Sequence, residues 1–248
     1  MTKNYGWKRQ LPDFRDLELT LTTSVLPAKV DLTSQCPPVY DQGQLGSCTA
    51  NAIAAALDFD RHKQGETFVN PSRLFIYYNE RAMEGTVKSD SGAAIRDGIK
   101  VVNTQGACKE VTWPYTISKF KSKPVIAAYK EGLLYESVKY QGLDNTNLTS
   151  LKTALASGLP FVFGFSVYSS FESTAVASTG IVPMPAKNES LLGGHAVLCV
   201  GYDDSTQRFL VRNSWGPGWG IKGYFTIPYT YLTNKNLASD FWVIQSVK

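Results

Sequence analysis

The sequence predicts an α+β protein with its helices gathered in the first half and its strands in the second. Between residues 47 and 104, apolar side chains recur at helical spacing and each run closes on a glycine. From about residue 160, short β-branched and aromatic runs alternate with turn residues. Helices and strands do not interleave, which argues against a parallel α/β sheet. With 248 residues, 43% of them hydrophobic, the chain has material for one large domain or two small ones with a real core.

Residues 1–30 carry Pro12 and Pro27, show no sustained period and read as an extended lead segment. A first helix is expected from Ser47 to Lys63, with Ala50, Ile53 and Leu57 on one face and Gly65 as its stop. A second follows "NPSRLFIYYNERAMEG", with Asn70 as cap, Pro71 at the first helical position and Gly85 at the exit. A third spans 93–104, ahead of Gly106, and a short fourth covers 148–157, closed by Gly158-Leu159-Pro160. "LPFVFGFSVYSSF", "GGHAVLCVGYDD", "RFLVRNSWG" and "GYFTIPY" read as strands, and "YDDSTQRFL" as a hairpin turn. Three regions result: an N-terminal extension (1–30), a mainly helical part (31–140) and a mainly β part (141–248).

A net charge of +4 with dispersed basic residues gives no footprint for nucleic acid or an anionic membrane. No apolar run approaches the roughly 20 residues of a membrane span. The N-terminus lacks the apolar core of a secretory signal, so secretion would require a leader removed earlier, and otherwise a cytoplasmic location is expected. Four cysteines are too few for a disulfide scaffold; they leave room for one bridge, and the sequence does not decide whether Cys36 and Cys108 form it. Asn147-Leu-Thr149 and Asn188-Glu-Ser190 match glycosylation acceptors, a motif short enough to arise by chance. No metal or cofactor is expected.

Chemistry concentrates around "DQGQLGSCTANAIAAAL". It places Cys48 at a helix N-terminus, where the macrodipole and unpaired N–H groups favour a thiolate. Of the two histidines, His62 sits among Asp60, Arg61 and Lys63 and reads as solvated. His195 instead follows Gly193-Gly194 and opens an apolar strand; glycines there allow another backbone to approach closely. Asn213, in "VRNSWGPGWG", could orient an imidazole by accepting from one ring nitrogen, and Trp215 could shield that bond. Gln42, six residues before Cys48, could join the Cys48 N–H in holding an oxyanion. Taken singly, each also has a bland reading: a core histidine, a turn with a packed aromatic, a loop glutamine.

In this order, Gln42, Cys48, His195 and Asn213 resemble the papain-like cysteine peptidases. In that family His and Asn follow the cysteine by about 130–150 residues. Here the intervals are 147 and 165. "LPAKVDLT", "VTWPY" and "NSWGPGWGIKGYFTI" extend the resemblance over residues 26–248. It implies a two-lobed fold, a helical lobe against an antiparallel β-barrel-like lobe with the cleft between them. It implies a monomeric endopeptidase acting on polypeptides, with Cys48, His195 and Asn213 catalytic, resting as a thiolate–imidazolium pair. Gly92, Ala93, Ala94, Ile95, Gly164, Gly193, Gly194, Ala196, Trp215 and Asp240 match substrate-binding positions; the pocket at Ala94, Ile95, Gly164, Gly193 and Ala196, with Ser239 or Asp240 at its far end, should take large apolar or aromatic side chains, and Asp240 could also admit a basic one. Residues 1–30 carry Tyr5, Trp7, Leu11, Phe14 and Leu17, and part of this segment is expected to cover the cleft. The chain also departs from the family: Leu45-Gly-Ser-Cys48-Thr49 replaces Cys-Gly-Ser-Cys-Trp, so packing beneath the nucleophile must differ. An acyltransferase of the same fold and a catalytically idle peptide-binding homologue are the competing readings.

Overall fold

The computed structural model describes residues 4–22 and 25–247. Residues 1–3, 23, 24 and 248 of the expected regions lie outside it. In chain order the elements are β1 (Lys29–Asp31), α1 (Cys48–Lys63), α2 (Arg73–Met83), α3 (Ile95–Thr104), α4 (Ile126–Gly132), β2 (Ser137–Gly142), α5 (Leu148–Ala156), β3 (Phe161–Tyr168), α6 (Thr174–Thr179), β4 (Leu191–Asp203), β5 (Arg208–Arg212), β6 (Tyr224–Pro228), α7 (Tyr229–Leu232) and β7 (Ala238–Val247). The strands form one antiparallel sheet in the order β2-β7-β3-β4-β5-β6, and β1 pairs with β4. The α+β expectation holds.

Helix α1 is buried along its whole length from Cys48 to Arg61. Its alanines favour helix and let neighbours approach closely on every side. It packs on β4 and β7 of the sheet and on α2 and α3. A cluster of phenylalanines, including Phe161, Phe163, Phe165, Phe209 and Phe241, fills the sheet side of the core. The expected hairpin turn lies between β4 and β5, which pair Asp203 with Arg208.

Several boundaries shift. The cap of α2 is Ser72, whose hydroxyl accepts from the Phe75 N–H at 3.1 Å, and neither Asn70 nor Pro71 holds its expected place. The Asp58 carboxylate takes the N–H groups of Val69 and Asn70, which pins that stretch against α1, with Asn70 at φ 53°. Helix α3 starts at Ile95, so residues 92–94 run extended. The boundary expected at residue 140 falls within β2, and β7 is a long strand that the sequence reading left unassigned. All four cysteines are free, so Cys36 and Cys108 form no bridge.

Ser72 also donates to the Trp113 carbonyl at 2.6 Å. Ser72→Ala should therefore cost about 1–2 kcal/mol in urea unfolding. Asn70→Gly should be neutral or stabilising, since glycine accepts a positive φ freely. The reverse pattern would return the cap to Asn70.

Candidate active site

The loop leading to α1 is stitched to the chain that follows β5. The buried Arg212 donates to the carbonyls of Pro37 (2.6 Å) and Pro38 (2.5 Å). The Gln42 N–H donates to Ser214 O, and the Gly216 N–H to Tyr40 O, both at 2.9 Å. These bonds bring the loop carrying Gln42 and Cys48 to Asn213, which is far along the chain. The Gln42 amide is oriented at both ends: its Oε1 accepts from Ser214 Oγ at 2.6 Å, and its Nε2 donates to Leu45 O at 2.9 Å.

His195 lies in β4 opposite Phe165 of β3, and its Nε2 meets Asn213 Oδ1 at 2.9 Å. Asn213 Oδ1 also accepts from the Ser214 N–H at 2.8 Å, which marks it as the acceptor and Nε2 as the protonated nitrogen. The Trp215 indole stacks on the imidazole at 5.1 Å between centroids. Trp215, itself buried, thus lies against the ring whose Nε2 meets Asn213.

Residues 4–10 run straight across this group. The Trp7 N–H donates to Gly194 O (2.9 Å), the Lys8 N–H to Ala93 O (3.0 Å), and the Ala93 N–H to Gly6 O (2.7 Å). The segment thus bridges the extended stretch before α3 and strand β4, pairing parallel with Ala93. Tyr5 packs its ring against His195 and Trp215, and its hydroxyl meets Glu172. The Trp7 indole lies over Gly164 and Gly194, where a Cβ would sit 2.0 Å and 2.5 Å from its atoms, and donates to Asp240 at 2.9 Å. Gly6 passes directly over Gly46 and Gly92, so tightly that a Cβ on Gly6 would stand 1.8 Å from Gly46 O. Lys8 pairs with Glu84 at 2.6 Å.

Of the matched wall positions, Ala93, Gly164, Gly194 and Asp240 touch Trp7 or its neighbours; Gly92 lies under Gly6, and Gly193 under Tyr5. Ala94 occupies the cap position of α3 and gives its N–H to Glu84, while Ile95 begins α3 and is buried in the core. The backbone of Ala196 faces Cys48. Sequence reasoning missed Ser214, Glu172 and Glu80, the last buried behind Cys48. A charged residue one turn beyond the apolar Ile76 and Tyr77 of α2 was the available signal for Glu80.

Beneath this segment Cys48 and His195 are both 0% exposed. Burial pushes the Cys48 thiol up to about 11, although backbone hydrogen bonds from Ala196 and Gly6 pull it the other way. This burial works against the thiolate expected at a helix N-terminus. Desolvation is the reason, since it outweighs the helix N-terminus.

A sequence profile of the papain family cysteine proteases matches residues 26–241. The chain belongs to this family. It is 46% identical, over its whole length and 88% of the relative's, to an uncharacterised peptidase C1-like protein of Acanthamoeba polyphaga mimivirus. It is 28% identical to cysteine proteinase 1 of Entamoeba histolytica, over 77% of this chain and 59% of that protein. Among solved structures, xylellain, a cysteine protease from Xylella fastidiosa, superposes with a TM-score of 0.93 at 47% identity over 99% of this chain and 97% of that one. Digestive procathepsin L 3 of Tenebrio molitor, at 21% identity and a TM-score of 0.76 over 98% of this chain and 76% of that one, shares the fold. The chain is accordingly a cysteine peptidase of papain-like fold.

Gly6→Ala should lift the segment from Gly46 and open Cys48 to small alkylating reagents. Alkylation followed by mass should quicken at least tenfold, the factor that about 1.4 kcal/mol of lost segment binding gives. An unchanged rate in a folded variant would mean that the segment does not control access.

Proposed function

We propose that this chain is an endopeptidase whose nucleophile is Cys48 and whose own residues 5–7 hold it inactive. The His195–Asn213 hydrogen bond beneath Trp215, on the strand whose Ala196 backbone faces Cys48, is the observation that carries the reading. With Nε2 committed to Asn213, Nδ1 is the nitrogen that exchanges a proton with Cys48. Once the segment leaves, water returns to the sulfur, the desolvation that raises its pKa falls away, and proton transfer to His195 gives thiolate and imidazolium.

The thiolate attacks the substrate's carbonyl carbon, and the Cys48 N–H and Gln42 Nε2 hold the oxyanion. The C–N bond then breaks while His195 gives its proton to the leaving amine, which leaves a thioester. Water, deprotonated by His195, attacks that thioester and releases the acid and the thiol. The bond to the Leu45 carbonyl, which can only accept, fixes which end of the Gln42 amide is Nε2.

The covering segment is held to both walls through its backbone. Gly6 directs an N–H at the sulfur, and its carbonyl is occupied by the Ala93 N–H. The site of Trp7, floored by Gly164 and Gly194 and ending on Asp240, supports a preference for a large aromatic side chain with a hydrogen-bond donor at its tip. Helices α1 and α2 fill most of the chain between Cys48 and Gly92, which leaves no insertion to block one end of the groove.

Cys48→Ala and His195→Ala should each abolish peptide hydrolysis, Asn213→Ala should reduce it less, and Gln42→Ala should cost ~10²–10³ in kcat. A chain starting at Leu26 should cleave small peptides faster than the full chain and cut an unfolded protein internally. Turnover surviving in His195→Ala, or a ladder of products from one end, would overturn the respective claim.

A further inference from the structure

The residue after the cysteine departs from the family pattern, and the space beneath it holds a carboxyl group. Thr49 Oγ1 donates to Glu80 Oε1 at 2.6 Å, and both residues are fully buried. The second carboxyl oxygen, Oε2, has no hydrogen-bond partner among the described residues. It points at Gly98 of α3, where a Cβ would stand 2.5 Å from it and equally close to Ile53 of α1. Glu80 therefore lies in an apolar crevice between three helices, tied to the residue next to Cys48. An ionised carboxylate with an empty oxygen in such a place is strongly disfavoured, whereas the neutral acid fits.

We propose that Glu80 is a positioning residue for Cys48: held neutral by its crevice and coupled through Thr49, it keeps negative charge away from the nucleophile. The inference rests on the reading of Cys48 as that nucleophile.

The groups around Glu80 act in both directions, and burial dominates. Burial pushes its carboxyl up to about 8. Glu84, the cap residue just past α2, and Asp97 of α3 add to this, while the Thr49 hydrogen bond and Arg81 oppose it. The Arg81 guanidinium is largely engaged elsewhere, on the carbonyls of Tyr77, Val87, Ser89 and Phe120. Tyr77 of α2 also feels the carboxyl. Glu84 binds Lys8 of the covering segment, so the line Cys48–Thr49–Glu80–Glu84–Lys8 joins the nucleophile to its cover. Glu80 loses its proton as pH rises through its raised midpoint, and the new negative charge beneath Cys48 raises the thiol midpoint. Removing that charge must lower it.

The test uses the full chain and needs no peptidase activity. Thiolate ultraviolet absorbance is titrated against pH as the difference from Cys48→Ser, in the wild type and in Glu80→Gln. Infrared spectroscopy follows the protonated-carboxyl C=O band of Glu80, identified by its loss in Glu80→Gln. The expected results are a Cys48 midpoint lower by at least half a unit in Glu80→Gln, about threefold more thiolate at a given pH above the Glu80 midpoint, and a Glu80 band present at pH 7 that fades near pH 8. Superimposable thiol titrations, or no Glu80 band at pH 7, would overturn the proposal. Should Glu80→Gln fail to fold, Thr49→Val serves: it removes the bond that favours the ionised form, so the band should persist to higher pH, and an unmoved band would also overturn it. A failure of the peptidase reading would appear separately, as hydrolysis surviving in Cys48→Ala.

Discussion

Helix α1 is enclosed on every side, and the rest of the site follows from that constraint. A helix that must pack against a sheet and two other helices at once can carry few large side chains. Alanines at 50, 52, 54, 55 and 56 meet this requirement. The close approach to β4 that they permit sets Cys48 against the backbone of Ala196, beside His195. The buried Arg212 and the backbone bonds of residues 40–42 then fix the loop carrying Gln42 to the strand end carrying Asn213. Each of these groups is held by packing or by a bond to its neighbour, so the site is preorganised before any substrate arrives.

The same close packing makes the site easy to cover. The segment has glycine at its crossing point, Gly6 over Gly46 and Gly92, and aromatic residues on either side of it. It gains main-chain bonds from both walls and side-chain bonds at Glu172, Asp240 and Glu84. The cost to the Cys48 thiol is electrostatic, because burial disfavours its charged form even at a helix N-terminus. Cover and chemical state are thus one effect seen at two levels.

Much of this was legible in the sequence, for identifiable reasons. The α+β class, α1 and the grouping of Gln42, Cys48, His195 and Asn213 were readable because local pattern and spacing agree there. Trp7 and Tyr5 were visible as apolar residues in a proline-punctuated lead, but only the fold supplies the pockets they enter. The cap at Ser72 was missed because Asp58, distant in sequence, takes the N–H groups around Asn70. Strand β7 was missed because its partners, β2 and β3, are remote and Asp240 interrupts its apolar run at φ 59°. Glu80 could not be paired with Thr49 without the helix crossing that joins them.

The central claim is that residues 6–8 lie as a short strand over Cys48 in the intact chain. Amide hydrogen exchange tests it most directly, residue by residue. The N–H groups of Trp7 and Lys8, which donate to Gly194 and Ala93, and that of Ala93, which donates to Gly6, should exchange slowly and at a common rate, well below that of the exposed Arg15. Unprotected exchange at Trp7 and Lys8, with β3 and β4 still protected, would contradict the account.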